Sequence, residues 1–155
     1  MTSKERVLSR ERARGSIDGL AAATDLQARA PEMDGTALYA EEGKIPGFRA
    51  ACAKMNMLHR PVGFVCRSSA GRVVSLLQNY DSTIYTQEPE ELPAQWGFKW
   101  SKDPQKALPF VAISTSPYMI GDYCTDAGKT WRSTLDTNVW CPSDYPQGWE
   151  EVPNA

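Results

Sequence analysis

The chain has 155 residues, of which 41% are apolar and 23% charged, with a formal net charge of −2. This length allows one ordinary domain or a few very small ones, and the near-neutral charge gives no general attraction to nucleic acid or anionic membranes. No stretch of about 18 apolar residues occurs, which argues against membrane insertion, and no apolar run follows the N-terminal basic residues, as a signal peptide would require. We therefore expect a protein that is made in the cytoplasm without a signal peptide.

Residues 1–56 are expected to form an N-terminal arm of helical and irregular structure. Residues 3–14 could be helical, and the first fourteen residues carry five basic against two acidic side chains, a local charge of +3, which we interpret as the solvated face of a helix. A second helical stretch should run over residues 17–29 and stop at Pro31.

Thr36 is expected to cap a short helix over residues 37–42 that Gly43 ends. A helical segment with a thin apolar stripe serves in oligomerisation or docking. The alternative is a frayed arm, and the sequence leaves both interpretations open.

An internal repeat organises the rest of the chain. Residues 62–96 and 120–149 present the same series of residues in the same order, and the offset shrinks from 58 to 53 only at loop positions, where changes of length cost little. The corresponding pairs are Gly63 and Gly121, Cys66 and Cys124, Gly71 and Gly128, Tyr85 and Trp140, Pro93 and Pro146, and Trp96 and Trp149.

Each copy is expected to form a β-hairpin that is closed by a final tryptophan. In the second copy, residues 119–125 and 129–135 are extended runs on either side of Asp126-Ala127-Gly128, where glycine supplies the positive φ of a tight turn. Residues 62–67 and 72–78 form the matching hairpin of the first copy. Alternation places Trp131, Ser133 and Leu135 on one face of the strand, and Thr130, Arg132 and Thr134 on the other.

The predicted fold class is mainly β with an N-terminal helical segment and two small three-stranded antiparallel modules in tandem. The modules span residues 57–100 and 117–153, and residues 101–116 form an apolar connector packed between them. Modules of this size bury little, so a single large aromatic residue can supply much of the core. The expected structural core residues are Trp96, Trp149, Trp131, Cys66 and Cys124.

The sequence offers little support for catalysis or metal binding. His59 is the only histidine, and the four cysteines include no closely spaced pair of the kind that binds zinc. Three disulfide connectivities are possible, but an origin in the cytoplasm favours buried thiols. We expect neither an enzyme, nor a metal, nor any other cofactor.

The second copy resembles a known family of small modules. Its Tyr118-Met119-Ile120-Gly121-Asp122, Gly128-Lys129-Thr130-Trp131, Pro142 and Trp149-Glu150-Glu151 are similar to the chitin-binding-type modules of carbohydrate-binding families five and twelve, closest to the versions in bacteriophage and prophage tail-region accessory proteins. The resemblance covers residues 118–152 and, more loosely, residues 61–98. It implies a compact three-stranded module used for attachment. The adjacent aromatics that stack on sugar after the second strand of the family are absent, because residues 132–136 read Arg-Ser-Thr-Leu-Asp.

These patterns lead to two functional hypotheses. The first is a non-enzymatic virion-associated protein of the phage tail or surface, which docks to other virion proteins through its arm. Its modules would contact a cell-surface glycan or a neighbouring protein, with neither nucleic acid binding nor membrane insertion. The alternative is a purely structural decoration or assembly protein without a glycan ligand, and homo-oligomers fit both. The candidate ligand-binding residues are Trp140, Tyr85, Tyr145, Tyr80 and Asn138, although the same rings could cap the small core.

Overall fold

The computed structural model describes residues 21–153, which form three helices and two small β-sheets. Helix α1 covers residues 21–29, α2 runs from Gly35–Ala40 and α3 from Phe48–Lys54. The helix expected up to Arg29 is confirmed over residues 21–29, where it gives way to a 3-10 turn containing Pro31. The helix expected over residues 3–14 lies outside the described residues.

The cap of α2 differs from the prediction. Asp34, and not Thr36, is the N-cap, because Asp34 has an extended backbone and its carboxylate accepts a hydrogen bond from Ala37 N at 2.8 Å. Thr36 lies inside the helix, where its hydroxyl accepts a hydrogen bond from Lys102 N at 2.9 Å. Thr36, the residue expected to cap α2, thus joins this helix to the segment around Lys102 that follows the first sheet.

The first sheet contains three antiparallel strands in the order β1-β2-β3, which are Val65–Arg67, Val73–Leu76 and Trp96–Phe98. This is the module that the sequence predicts within residues 57–100. The strands are shorter than expected, with three or four residues each.

The second sheet corrects the predicted fold class. Its strands β5, β6 and β7 (Tyr123–Asp126, Lys129–Ser133 and Trp149–Val152) form the expected antiparallel meander, but a fourth strand, β4 (Leu108–Pro109), pairs parallel to β5. The sheet is therefore mixed. Its fourth strand comes from residues 101–116, predicted to be a packed connector. Phe110 N extends the pairing by donating to Thr125 O at 2.9 Å.

The two copies share their main-chain hydrogen bonds as well as their order of strands. Gly63 N donates to Leu76 O at 2.8 Å, and Gly121 N donates to Ser133 O at 2.9 Å in the same place. Both glycines have a positive φ, 95° and 91°, which glycine adopts at little cost. The tryptophan that opens β3 faces Leu76, and the one that opens β7 faces Ser133. The repeat in the sequence thus corresponds to a repeat in the backbone.

One hydrophobic core serves both sheets. The largest cluster of buried residues includes Cys66 and Trp96 from the first sheet and Cys124 and Trp149 from the second. Between them, Trp100 and Tyr118 stack with ring centroids 4.2 Å apart. Sheets this small are marginal alone, so sharing a core allows each to bury its inner face.

The described part of the N-terminal arm is integrated into the fold. Leu26 of α1 and Leu38 of α2 are buried in a second cluster that also contains Val65 and Val73 of the first sheet. The Tyr39 hydroxyl accepts a hydrogen bond from Val73 N at 3.0 Å and donates one to Lys99 O at 2.9 Å. Residues 21–54 therefore cover the first sheet instead of extending from it.

Replacing Gly35 with alanine should destabilise the protein by roughly 3 kcal/mol, because the new methyl group would overlap the carbonyl oxygen of Trp100 and push α2 off the sheet. Chemical denaturation measures the free energy of unfolding. Gly43→Ala is the matched control, since a Cβ at Gly43 meets no atom within 4 Å. Equal stability of the two variants would contradict this packing.

The tight turn of the second hairpin offers a stabilising change. Ala127 and Gly128 both have a positive φ, 52° and 76°, as a type I′ turn requires. A left-handed conformation is costly for alanine, whereas asparagine tolerates it. Ala127→Asn should therefore raise the free energy of unfolding by about 1 kcal/mol, and Gly128→Ala should lower it by a similar amount. Both values can be measured by denaturation, and a loss of stability in Ala127→Asn would count against this turn type.

Candidate binding site

Two exposed aromatic rings lie together at the loop end of the second module. Trp140 is 50% exposed and Tyr145 is 38% exposed, and their ring centroids are 5.4 Å apart with the planes tilted by 45°. The turn between them is fixed by the Cys141 carbonyl, which accepts hydrogen bonds from Asp144 N at 3.1 Å and Tyr145 N at 2.9 Å. We name Trp140 and Tyr145 the ring pair.

The core of the module holds the backbone of the ring pair. Trp149 Nε1 donates to Trp140 O at 2.7 Å, and Trp140 N donates to the side-chain oxygen of Asn138 at 3.3 Å. The Asn138 amide nitrogen in turn donates to Gly148 O at 2.9 Å and to Ser133 Oγ at 3.1 Å. The exposed indole is thus attached to a buried frame, and little conformational freedom of this backbone would be lost on binding.

Gly148 lies against the Tyr145 ring of the ring pair. A Cβ at Gly148 would lie 3.0 Å from the Tyr145 ring and 3.2 Å from Leu135 Cδ1, so the absent side chain allows these two groups to converge. Leu135 is 36% exposed, although alternation placed it on the same face as Trp131 and Ser133. The strand ends at Ser133, and therefore alternation no longer applies at Leu135.

Sequence reasoning did not assign Leu135 or Gly148 to the site. The sequence feature that points to Gly148 is its position directly before the closing Trp149. The first copy lacks it, because Gln95 precedes Trp96.

Asn138 and Tyr80 lie in the interior, which corrects their assignment as ligand contacts. Asn138 is fully buried, and its amide is used by the frame described above. Tyr80 is 7% exposed, and its hydroxyl accepts a hydrogen bond from Trp96 Nε1 at 3.0 Å. Burial raises the pKa of Tyr80 to about 12. Both side chains support the core and present no face to a ligand.

Tyr85, the fifth candidate, is 53% exposed in the first module. It belongs to a turn in which Tyr85 N donates to Asp81 O at 3.0 Å, and Ile84 beside it is also exposed. Within residues 21–153, no ring contact of Tyr85 joins it to another aromatic residue. The structure therefore brings together two of the five predicted residues, Trp140 and Tyr145.

Four of the five predicted core residues are buried: Trp96, Trp149, Cys66 and Cys124. The fifth, Trp131, packs against the same core but is only half-buried, and its Nε1 donates to Asp126 O at 3.2 Å. All four cysteines are free, and burial raises the pKa of the Cys66 and Cys124 thiols. These two thiols pack as small apolar side chains.

Comparisons with known proteins add no support for the resemblance to chitin-binding-type modules, which is based on the sequence motifs only. No family model, curated protein or solved structure matches the chain. Among residues 21–153, no group of three or more His, Cys, Asp and Glu side chains could hold a metal ion. None of the helices in the same part of the chain is long and apolar enough to cross a membrane.

Two tryptophan substitutions should separate the buried frame from the exposed ring. Trp149→Ala should lower the free energy of unfolding by about 3–5 kcal/mol, because it empties a core position and removes the hydrogen bond to Trp140 O. Trp140→Ala should cost less than about 1 kcal/mol, because half of that side chain is already in solvent. Denaturation followed by circular dichroism gives both values, and similar losses would mean that the Trp140 ring belongs to the core.

Proposed function

We propose that the protein is a non-enzymatic attachment protein that contacts a glycan through the ring pair of its second module. The observation that carries this proposal is the exposure of Trp140 and Tyr145 on a backbone that buried hydrogen bonds fix in place. The CH-rich faces of sugars pack on aromatic rings, while their hydroxyl groups need polar partners. Exposed polar side chains near the rings in sequence are Asp144 and Gln147, together with Asp136 and Ser143, which already bond Ile120 N and Asp126.

The likeness of residues 118–152 to phage tail-region modules supports a setting on a virion, with the protein made in the host cytoplasm. Docking to other virion proteins through the N-terminal arm then belongs mainly to the residues ahead of α1, because α1 and α2 are already packed against the first sheet. A deletion designed to test docking should therefore spare Leu26, which is fully buried.

Glycan-array binding tests the role of the ring pair. Wild-type protein should bind a subset of glycans, and Trp140→Ala and Tyr145→Ala should each weaken that binding by roughly tenfold because a stacking face is lost. Tyr85→Ala is the matched control, since Tyr85 is equally exposed but lies in the other module. An array that stays blank, or equal losses in all three variants, would contradict a glycan site at the ring pair.

The alternative, a structural decoration or assembly protein, is favoured by a different observation. Several apolar side chains are exposed at the end of α3 and in the loops of the first module: Met55, Leu58, Ile84 and Tyr85. Surfaces of this kind take part in contacts between proteins. Light scattering on the same variants distinguishes the two functions, because assembly predicts an oligomer that Tyr85→Ala weakens, together with a blank array.

A further inference from the structure

Two adjoining cavities lie where α1, α3 and the loop of residues 60–64 meet. One has a volume of about 300 Å³ and the other about 240 Å³. Gln27, Arg60 and Phe64 line both cavities. Their sizes fall at or just below the lower end of small-molecule sites, which begin at about 300 Å³.

Arg60 contributes a guanidinium group to the lining of both cavities. Its guanidinium lies over the Phe64 ring, 4.4 Å from the centroid, and one terminal nitrogen donates to Ala51 O at 2.9 Å. Within the described residues 21–153, its Nε is buried away from solvent and has no hydrogen-bond partner. Arg60 therefore offers an anion in the cavities its guanidinium charge and not this N–H.

Lys54 adds a second cation. It is the last residue of α3, it is exposed, and it lines the smaller cavity. Within residues 21–153, neither Lys54 nor Arg60 forms an ion pair with a carboxylate, whereas Arg72 and Lys106 each do so at 3.0 Å or less. None of the described residues lining the two cavities is acidic. Among residues 21–153, the charged side chains that line the cavities are therefore both cations.

The remaining walls are mostly apolar. Pro46, Ala50 and Ala51 line the smaller cavity, Pro61 and Val62 line the larger one, and Phe64 separates Arg60 from the core. The Gln27 amide is not available to bind a ligand. Its nitrogen donates a hydrogen bond to Val65 O, and its oxygen accepts one from Val65 N. An occupant must therefore combine a negative charge for the two cations with a short apolar body for these walls.

We propose that this cavity pair binds a small organic acid, whose carboxylate accepts hydrogen bonds from Arg60 and Lys54 and whose short aliphatic or aromatic body lies against Phe64. The volume favours a free acid over a protein segment. No residue of the ring pair lines these cavities, so a test of acid binding is independent of a test of glycan binding.

Titration of the full chain with hexanoate, followed by amide chemical shifts in NMR, tests the proposal. Hexanoate should produce saturable shifts at Gln27 and Phe64, and hexanamide, which has the same shape without the charge, should bind at least about tenfold more weakly. Inorganic phosphate, an anion without an apolar body, should also bind more weakly than hexanoate.

Charge-removing variants complete the test. Lys54→Gln should weaken hexanoate binding by about tenfold without disturbing the fold, because Lys54 is exposed. Arg60→Lys should also weaken it, and Lys129→Gln, which removes a cation from the second sheet, should not. Equal binding of hexanoate and hexanamide, or unchanged binding in Lys54→Gln, would overturn the proposal. Tighter binding of acetyl-Ala-Leu than of hexanoate would overturn the assignment to a free acid in favour of a peptide carboxyl terminus.

Discussion

A continuous run of aromatic contacts joins the two sheets, and the rest of the structure depends on it. From the first sheet, Phe98 stacks on Trp100 with centroids 5.8 Å apart, Trp100 stacks on Tyr118, and Tyr118 meets the Trp149 ring edge-on at 5.4 Å. Each ring carries a large apolar area. Two sheets of three or four short strands could not bury enough surface separately, so these shared rings make one core out of two modules.

The same core explains why the two copies present different surfaces. In the second copy, the closing Trp149 uses its indole N–H to hold the backbone of the exposed Trp140. In the first copy, the closing Trp96 donates instead to the buried Tyr80 hydroxyl. Both closing tryptophans are buried, but only the N–H of Trp149 supports the backbone of an exposed ring, and Tyr85 lacks this support from Trp96. The two copies share their strands and main-chain hydrogen bonds, whereas the ring pair occurs in the second copy only.

Side chains of α1 and α2 form hydrogen bonds with the backbone of the first sheet. Gln27 pairs with both backbone groups of Val65 and so satisfies the outer edge of β1, while Tyr39 bridges Val73 and Lys99. An edge strand that is covered in this way has no free backbone groups there to offer to another chain. The packing also leaves the cavities beside Arg60, since α1, α3 and the loop meet with mostly small residues and prolines between them.

Local patterns in the sequence determined the repeat, the two hairpins with their glycine turns, and the burial of both closing tryptophans. Each follows from short-range physics: positive φ at glycine, alternation along a strand, and the need of a small module for one large apolar residue. Only the tertiary structure decided the parallel pairing of β4, the burial of Tyr80 and Asn138, the exposure of Leu135 and the half-buried position of Trp131. These depend on contacts between distant parts of the chain, where the partner of a side chain is set by packing and not by its neighbours in sequence.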